Sequence, residues 1–154
     1  MTDLTFRKVD HSNYRDVLKL TVSDEQKNFV APNDRSLLQS AYEAPDASTP
    51  YGVYDGVTLV GFLLITTDDE NEKNLWVWRF MIDANHQGKG YGKRAMTKLI
   101  QETKASGIYD YLRLSYVPTN ERAKHVYASV GFVEVGIKEE FGGEMEAVVE
   151  LKKF

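Results

Sequence analysis

The segment that organises this chain reads Gln87-Gly88-Lys89-Gly90-Tyr91-Gly92-Lys93. An apolar and aromatic run precedes it at residues 75–83, and apolar residues at helical spacing follow it at residues 95–103. The pattern predicts a strand, a tight glycine turn and a helix. Backbone N–H groups left uncovered by such glycines, together with the positive end of the helix dipole, bind phosphate oxygens. Positive charge beside this predicted anion site comes from Lys89, Lys93 and Arg94.

Two common phosphate-binding motifs do not match this segment. The dinucleotide fingerprint would require a third glycine at position 93, which is Lys93, and the P-loop pattern is absent. The spacing that remains is Gln-x-x-Gly-x-Gly, formed by Gln87, Gly90 and Gly92. A strand–helix turn whose glycines serve only packing is the alternative interpretation.

The composition excludes several classes of protein. The 154 residues suggest one domain, spanning 1–154, with an ample core. No cysteine is present, so disulfides, thiolate nucleophiles and cysteine-bound zinc are excluded, and the three histidines lack ligand spacing, so we expect no metal. The formal net charge of −4 argues against nucleic acid and favours cationic ligands. Without an apolar run of about 20 residues or a signal-peptide core, the sequence predicts a cytoplasmic protein with no membrane partner.

Periodicity along the rest of the chain predicts the order β-α-α-β-β-β-α-β-α-β-β. This order predicts an α/β (α+β) fold: a mixed, mostly antiparallel twisted sheet of about seven strands with about four helices. The strands are predicted at residues 4–9, 51–54, 57–66, 75–83, 111–116, 131–135 and 145–151, and a polar loop at 45–50. The helices are predicted from about residue 13, over 34–42, from the glycine segment to 106, and over 121–129, with a broken helix at 22–30.

A second motif lies near the C-terminal end: Asn120-Glu121-Arg122-Ala123, followed by Tyr127-Ala128-Ser129-Val130-Gly131-Phe132. The two motifs, in this order, resemble those of the GNAT superfamily of N-acetyltransferases, and the predicted element order resembles the GNAT fold over the whole chain. The segment Gln26–Asn33 and the strand containing Trp76 further resemble bacterial spermine/spermidine (diamine) N-acetyltransferases.

The resemblance implies that acetyl-CoA is the cosubstrate and that a primary amine attacks its thioester directly. The implied acceptor is a polyamine, spermine or spermidine. Pyrophosphate would bind the backbone N–H groups of the glycine segment, and pantetheine would lie along strand four beside a bulge near Arg79 to Met81. The implied cofactor-binding residues are Phe80, Met81, Ile82, Gln87, Gly88, Lys89, Gly90, Tyr91, Gly92, Lys93, Asn120, Arg122, Ala123 and Tyr127. Asn120 is equally suited to a helix N-cap.

Two catalytic roles follow from the resemblance. Tyr127 would be the general acid, since a phenol with a pKa of about 10 is protonated at neutral pH and can donate to the departing thiolate. The backbone N–H of Met81 would stabilise the negative charge that develops on the carbonyl oxygen.

The acceptor site is predicted outside the cofactor core, in loops rich in carboxylates. The candidates for substrate binding are Asp24, Glu25, Glu43, Trp76 and Trp78; other acids in these loops are Asp46, Glu139, Glu140 and Glu144. Asp24, Glu25 and Glu43 are also the candidates for a general base, although a solvated surface carboxylate is the favoured interpretation of each acid taken singly. A base is unnecessary if the small neutral fraction of the amine reacts. Another amine (an aminoglycoside, an amino acid or a peptide N-terminus) and a catalytically silent CoA-binding module stay open. A homodimer is a further expectation from the resemblance.

Overall fold

The computed structural model describes residues 3–152. The strands are β1 (Leu4–Lys8), β2 (Ser48–Asp55), β3 (Thr58–Thr67), β4 (Asn74–Ile82), β5 (Tyr111–Tyr116), β6 (Val133–Lys138) and β7 (Glu144–Glu150). The α-helices are α1 (Tyr14–Lys19), α2 (Asn33–Glu43), α3 (Tyr91–Ser106) and α4 (Glu121–Ser129). Short 3-10 segments lie at Asp24–Gln26, Ala84–His86 and Glu139–Phe141. The predicted order of strands and helices is confirmed.

All seven strands form one sheet in the order β1-β2-β3-β4-β5-β7-β6. Within residues 3–152 only β4 and β5 pair in parallel, because the crossover between them carries α3. Residues of α3 and α4 pack with one face of the sheet in a core that includes Leu75, Val77, Leu99 and Leu114. Val17 of α1 and Leu37 of α2 belong to a second core on the other face.

A bulge and a gap in the middle of the sheet shape the molecule. The consecutive β3 residues 64–65 lie opposite Arg79 and Val77 respectively, so Trp78 is the extra residue of β4. The pairing of β4 with β5 covers only 74–77 of β4. Beyond Val77 the two strands separate, while β4 continues to Ile82. The bulge thus lies one residue before the predicted stretch, where the gap opens.

Two predicted boundaries were wrong. β2 begins at Ser48 rather than 51, and Pro50, predicted in a loop, lies within it opposite Leu64. The Pro50 carbonyl accepts from Val9 N at 2.9 Å, so the carbonyl and the ring nitrogen of Pro50 both face the side of β1. Because β1 has ended at Lys8, no strand there requires a backbone N–H from residue 50. β6 begins at 133, because Gly131 has a positive φ of 111° and turns the chain before the strand.

Candidate active site

A cavity of about 680 Å³ opens where β4 and β5 separate. Its walls come from the loop at 22–32, β4, the glycine segment, β5 and α4, and its volume suits a small-molecule ligand. The cavity therefore joins the predicted cofactor-binding segment to the predicted acceptor loop. Of the described residues 3–152, no group of three or more His, Cys, Asp or Glu side chains could hold a metal ion.

The glycine segment forms one end of the cavity. Gly88 and Gly90 have φ of 81° and 82°, and no atom of the described residues lies within 4 Å of the point where a Cβ would sit on either. Gly90 precedes the 16-residue helix α3, so the free N–H groups of its first turn face this open space. Gly92 and Lys93 also line the cavity, whereas Lys89 is exposed and lies outside it.

The side chains of the segment fasten it to its surroundings. Gln87 Nε2 donates to the Ile82 carbonyl at 2.9 Å and to Gln26 Oε1 at 2.7 Å, while its Oε1 accepts from Arg122 at 2.5 Å. The Tyr91 hydroxyl donates to Asp55 at 2.6 Å, a bond that raises the pKa of this phenol. The Gln87 side chain is thus occupied by bonds to other protein groups. The groups of the glycine segment that are available to a ligand are therefore those of its backbone.

The β4 strand presents backbone groups to the gap in alternation. Asp83 N donates to the Val60 carbonyl at 2.8 Å, which fixes the phase of the antiparallel ladder between β3 and β4. In that phase Met81 bonds to β3 opposite Phe62, and the N–H groups of Phe80 and Ile82 point away from β3 into the gap. The N–H of Met81, predicted to be the oxyanion donor, is therefore engaged by β3, and the Met81 side chain packs in the core beneath α1. The β4 N–H groups that are open to a ligand are those of Phe80 and Ile82.

The start of α4 faces the glycine segment across the cavity. Asn120 Oδ1 accepts from Ala123 N at 3.2 Å, so Asn120 caps the helix. Asn120, Arg122 and Ala123 all line the cavity. Capping and proximity to the cofactor are compatible here, since the cap bond uses only the side-chain oxygen.

Tyr127 projects from α4 into the same cavity. Its ring lies 5.7 Å from those of Tyr116 and Phe132, centroid to centroid. Of the described residues, none makes a hydrogen bond with its hydroxyl, whereas the neighbouring Tyr116 hydroxyl donates to Glu134 at 3.0 Å. Burial is the main factor that raises the pKa of Tyr127 above its ordinary value. This phenol is protonated at neutral pH and free to donate to a ligand.

The acceptor end of the cavity lies on the α1/α2 face of the sheet. Because of the bulge, the consecutive residues Trp78 and Arg79 both lie on this face. Arg79 donates to Gln39 Oε1 at 2.9 Å and to the Trp78 carbonyl at 3.0 Å, but its Nε is buried with no hydrogen-bond partner among residues 3–152. Burial lowers the pKa of this guanidinium. Phe29, Arg35, Ser115 and Glu144 complete this end.

Four of the five residues predicted to bind the substrate lie outside the cavity. Asp24 and Glu25 are exposed, and the bond from Lys27 at 2.8 Å lowers the pKa of Asp24. Glu43 is exposed on α2, beside a separate shallow groove. Trp76 donates its indole N–H to Asp68 at 3.0 Å and stacks edge-on against Phe141. Only Trp78 lines the cavity.

Sequence reasoning missed the two guanidinium groups at the acceptor end of the cavity, those of Arg35 and Arg79. Arg79 was visible as a charged residue within an apolar strand, a signal that could have found it. Nothing in the sequence marks Arg35, which looks like an ordinary residue of an amphipathic helix.

Comparison with known proteins assigns this chain to a family. Residues 14–132, more than half of the chain, match the Acetyltransferase (GNAT) family. The chain belongs to this family. The predicted family, fold and enzyme class, an acetyl-CoA-dependent N-acetyltransferase, are confirmed.

Two relatives match this GNAT chain over nearly its full length. It is 33% identical over 153 residues to the probable spermine N(1)-acetyltransferase of Bacillus subtilis subsp. natto (strain BEST195), which covers 96% of this chain and 99% of that protein. The spermine/spermidine N(1)-acetyltransferase of Bacillus subtilis (strain 168) matches with the same identity and coverage.

Solved structures share the fold at low identity. The spermidine N-acetyltransferase from Vibrio cholerae, in complex with CoA and spermine, has a TM-score of 0.77 at 19% identity, covering 97% of this chain and 96% of that one. The aminoglycoside enzyme AAC(6')-Ib, in complex with ribostamycin and coenzyme A, has a TM-score of 0.81 at 15% identity, covering 96% and 93%. Among residues 3–152, no helix is both long and apolar enough to span a membrane.

Proposed function

We propose that this GNAT enzyme transfers the acetyl group of acetyl-CoA to a primary amine of a polyamine such as spermine or spermidine. The single observation that carries the proposal is the cavity, which joins an open glycine segment, free β4 backbone groups and the Tyr127 hydroxyl. The polyamine as acceptor rests on the two relatives at 33% identity, both of which are named for spermine.

The residues present fit acetyl-CoA. N–H groups of the glycine segment and of the first turn of α3 would hold the pyrophosphate, and Lys93 would add charge. Backbone groups of Phe80 and the N–H of Ile82, which face the gap and are not paired with β5, would hold the pantetheine arm. The thioester supplies an activated acetyl group, and the fixed amine and thioester react faster through proximity.

Protein groups assist both ends of the transfer. An N–H of Phe80 or Ile82 would stabilise the negative charge on the carbonyl oxygen, a contribution typically of about 3 kcal/mol per donor. The Tyr127 hydroxyl would protonate the departing sulfur, because it is protonated and makes no hydrogen bond within the described part of the chain. The amine would approach from the α1/α2 face, past Trp78 and Phe29.

The two guanidinium groups favour a second candidate acceptor. Arg35 and Arg79 line the acceptor end, and cations disfavour a polyamine that places several ammonium groups there. An amine that also carries an anionic group, such as an amino acid or a peptide, would instead pair with them. A cytoplasmic location and a homodimer stay predictions from the sequence.

The test is free-thiol release from acetyl-CoA by the purified protein with a panel of amines. The panel holds spermine, spermidine, putrescine, lysine, a peptide amine and an aminoglycoside. Release with spermine or spermidine at micromolar to millimolar half-saturation supports the polyamine. Release only with lysine or the peptide replaces the polyamine by the second candidate, and release with no amine contradicts the proposed activity.

A further inference from the structure

We propose that the carboxylate of Glu144 takes the proton from the acceptor ammonium, so that the amine reacts in its neutral form. This inference rests on the proposed N-acetylation of an amine. A polyamine nitrogen has a pKa of roughly 10, like that of lysine, so it arrives mostly protonated and cannot attack. The site therefore gains from a carboxylate at the acceptor end, and the acids predicted from the sequence to bind substrate lie outside the cavity.

Glu144 is the one Asp or Glu among the described residues that line the cavity. It lies at the start of β7, and the Ser115 hydroxyl of β5 donates to its Oε1 at 2.8 Å. This bond orients the carboxylate and occupies one of its oxygens. No hydrogen bond or ion pair joins Glu144 Oε2 to any described residue, so that oxygen can accept from a ligand.

The pleat of the sheet places Glu144 on the side from which the amine would come. Leu114 and Tyr116 of β5 face the α3/α4 core, so Ser115 between them faces the opposite side of the sheet. The hydrogen bond from Ser115 holds the Glu144 carboxylate on that same side. Tyr127, on α4, lies on the other side of the gap between β4 and β5. The proton acceptor and the proton donor thus flank the position that the thioester would occupy.

Arg79 on the same face strengthens this assignment. The Glu144 charge acts on the Arg79 guanidinium, yet no ion pair joins the two groups in the described part of the chain, so Arg79 does not occupy the Glu144 carboxylate. A guanidinium close to the acceptor nitrogen disfavours a second positive charge beside it. This repulsion lowers the pKa of the bound ammonium and favours proton transfer to Glu144.

The proton balance closes without another reagent. Glu144 takes one proton from the ammonium and passes it to solvent. The neutral nitrogen attacks the thioester carbon; the N–C bond forms, the C–S bond breaks, and Tyr127 gives its proton to the sulfur. The second proton lost by the nitrogen restores the Tyr127 hydroxyl. The products are the N-acetyl amine, CoA with its free thiol and one proton.

The test compares wild type, Glu144→Gln and Glu140→Gln, which removes the same charge from an exposed neighbour outside the cavity. Free-thiol release is measured at pH 7 and at pH 9.5 with the best acceptor of the panel. We expect Glu144→Gln to lower kcat/KM at least about tenfold at pH 7, within the range for losing an acid–base group. The loss should shrink to less than about threefold at pH 9.5, since more of the amine is then neutral. Glu140→Gln should match wild type at both pH values.

Two results would overturn the inference while leaving the proposed function intact. One is a Glu144→Gln variant as active as Glu140→Gln, and the other is the same fold-loss at both pH values, which would indicate a binding or structural role. Thermal unfolding and the Kd for acetyl-CoA verify that the variant folds. If it does not, Ser115→Ala, which frees the carboxylate without removing it, should show a smaller loss with the same pH trend. An inactive wild type would overturn the proposed function and this inference with it.

Discussion

Tyr127 combines a fixed ring with a hydroxyl that no described residue engages. Its two aromatic neighbours hold the ring, and burial raises its pKa, so the group offers a proton rather than a charge. We expect Tyr127→Phe to lower kcat at least about tenfold, as for other lost acid–base groups, with little change in the Kd for acetyl-CoA. Steady-state kinetics and calorimetric titration measure the two effects, with Tyr42→Phe, 82% exposed and outside the cavity, as control.

The direction of the Tyr127 pKa shift also fixes how this loss depends on pH. A phenol whose pKa lies above its usual value of about 10 is protonated throughout pH 7 to 9.5. The ratio of wild-type to Tyr127→Phe activity should therefore be constant over that range, in contrast to the ratio expected for Glu144→Gln. A ratio that falls between pH 7 and 9.5 would contradict the assignment of Tyr127 as the acid.

For single residues, the sequence could predict roles only where the residue belongs to a motif. It could not predict which loop side chains face the cavity, because that depends on the folded structure. Tyr127 and the glycines stand at fixed distances from other residues of the two motifs, so the resemblance to the GNAT motifs was enough to predict their roles. Asp24 was chosen for its charge in the right loop, yet its side chain pairs with Lys27 on the surface. A loop carboxylate has few local constraints, so only the folded neighbours decide whether it faces a cavity.

Among the elements, helix α3 has a glycine in the left-handed conformation at each end. Gly90 has a φ of 82° at the start of α3, and Gly107 has a φ of 69° after its end. In the described part of the chain an added Cβ would meet no atom within 4 Å at either position, so the cost to stability is backbone strain alone. We expect Gly90→Ala and Gly107→Ala each to lower the free energy of unfolding by about 1–2 kcal/mol, measured by urea denaturation.

Gly90→Ala and Gly107→Ala together distinguish the effect of backbone strain on stability from an effect on acetyl-CoA binding. Gly90 lines the cavity and Gly107 does not, so only Gly90→Ala places a methyl group where the pyrophosphate would lie. We expect the KM for acetyl-CoA to rise at least about tenfold in Gly90→Ala, equivalent to 1.4 kcal/mol of binding, and to stay near wild type in Gly107→Ala. An unchanged KM in both variants would argue against pyrophosphate at this segment.

The β4 bulge shows where element-level prediction reaches its limit. Strand β4 was predicted from its apolar run, and its bounds are nearly right, but a run of aromatic and apolar residues does not reveal which residue is unpaired. The extra residue, Trp78, changes the face on which each later side chain lies and sets which N–H groups are free. Because of this one-residue shift, the Met81 N–H bonds to β3 and does not face the gap, contrary to its predicted role as oxyanion donor.

Over the whole molecule, the sheet consists of two parts that meet along a short seam. β1–β4 form one part and β5–β7 the other, and pairing of β4 with β5 covers only residues 74–77 and 111–114. The order of elements was predictable, because each has its own periodicity and turn residues. The gap was implied only by family resemblance, because the separation of two parallel strands depends on the bulge and on packing from both faces.

A ligand in this gap should replace the missing strand contacts and stabilise the whole fold. We expect acetyl-CoA at 100 times its Kd to raise the free energy of unfolding by about 2.7 kcal/mol, visible as a higher Tm. Amide hydrogen exchange followed by NMR should slow at Phe80 and Ile82, whose N–H groups face the gap, and should be slow at Met81 with or without ligand, because it bonds to β3. Adenosine 3',5'-bisphosphate, which lacks the pantetheine arm, should leave Phe80 and Ile82 unprotected. Protection that appears at Met81 instead would mean that β4 presents the opposite set of N–H groups to the gap, and would return the oxyanion role to Met81.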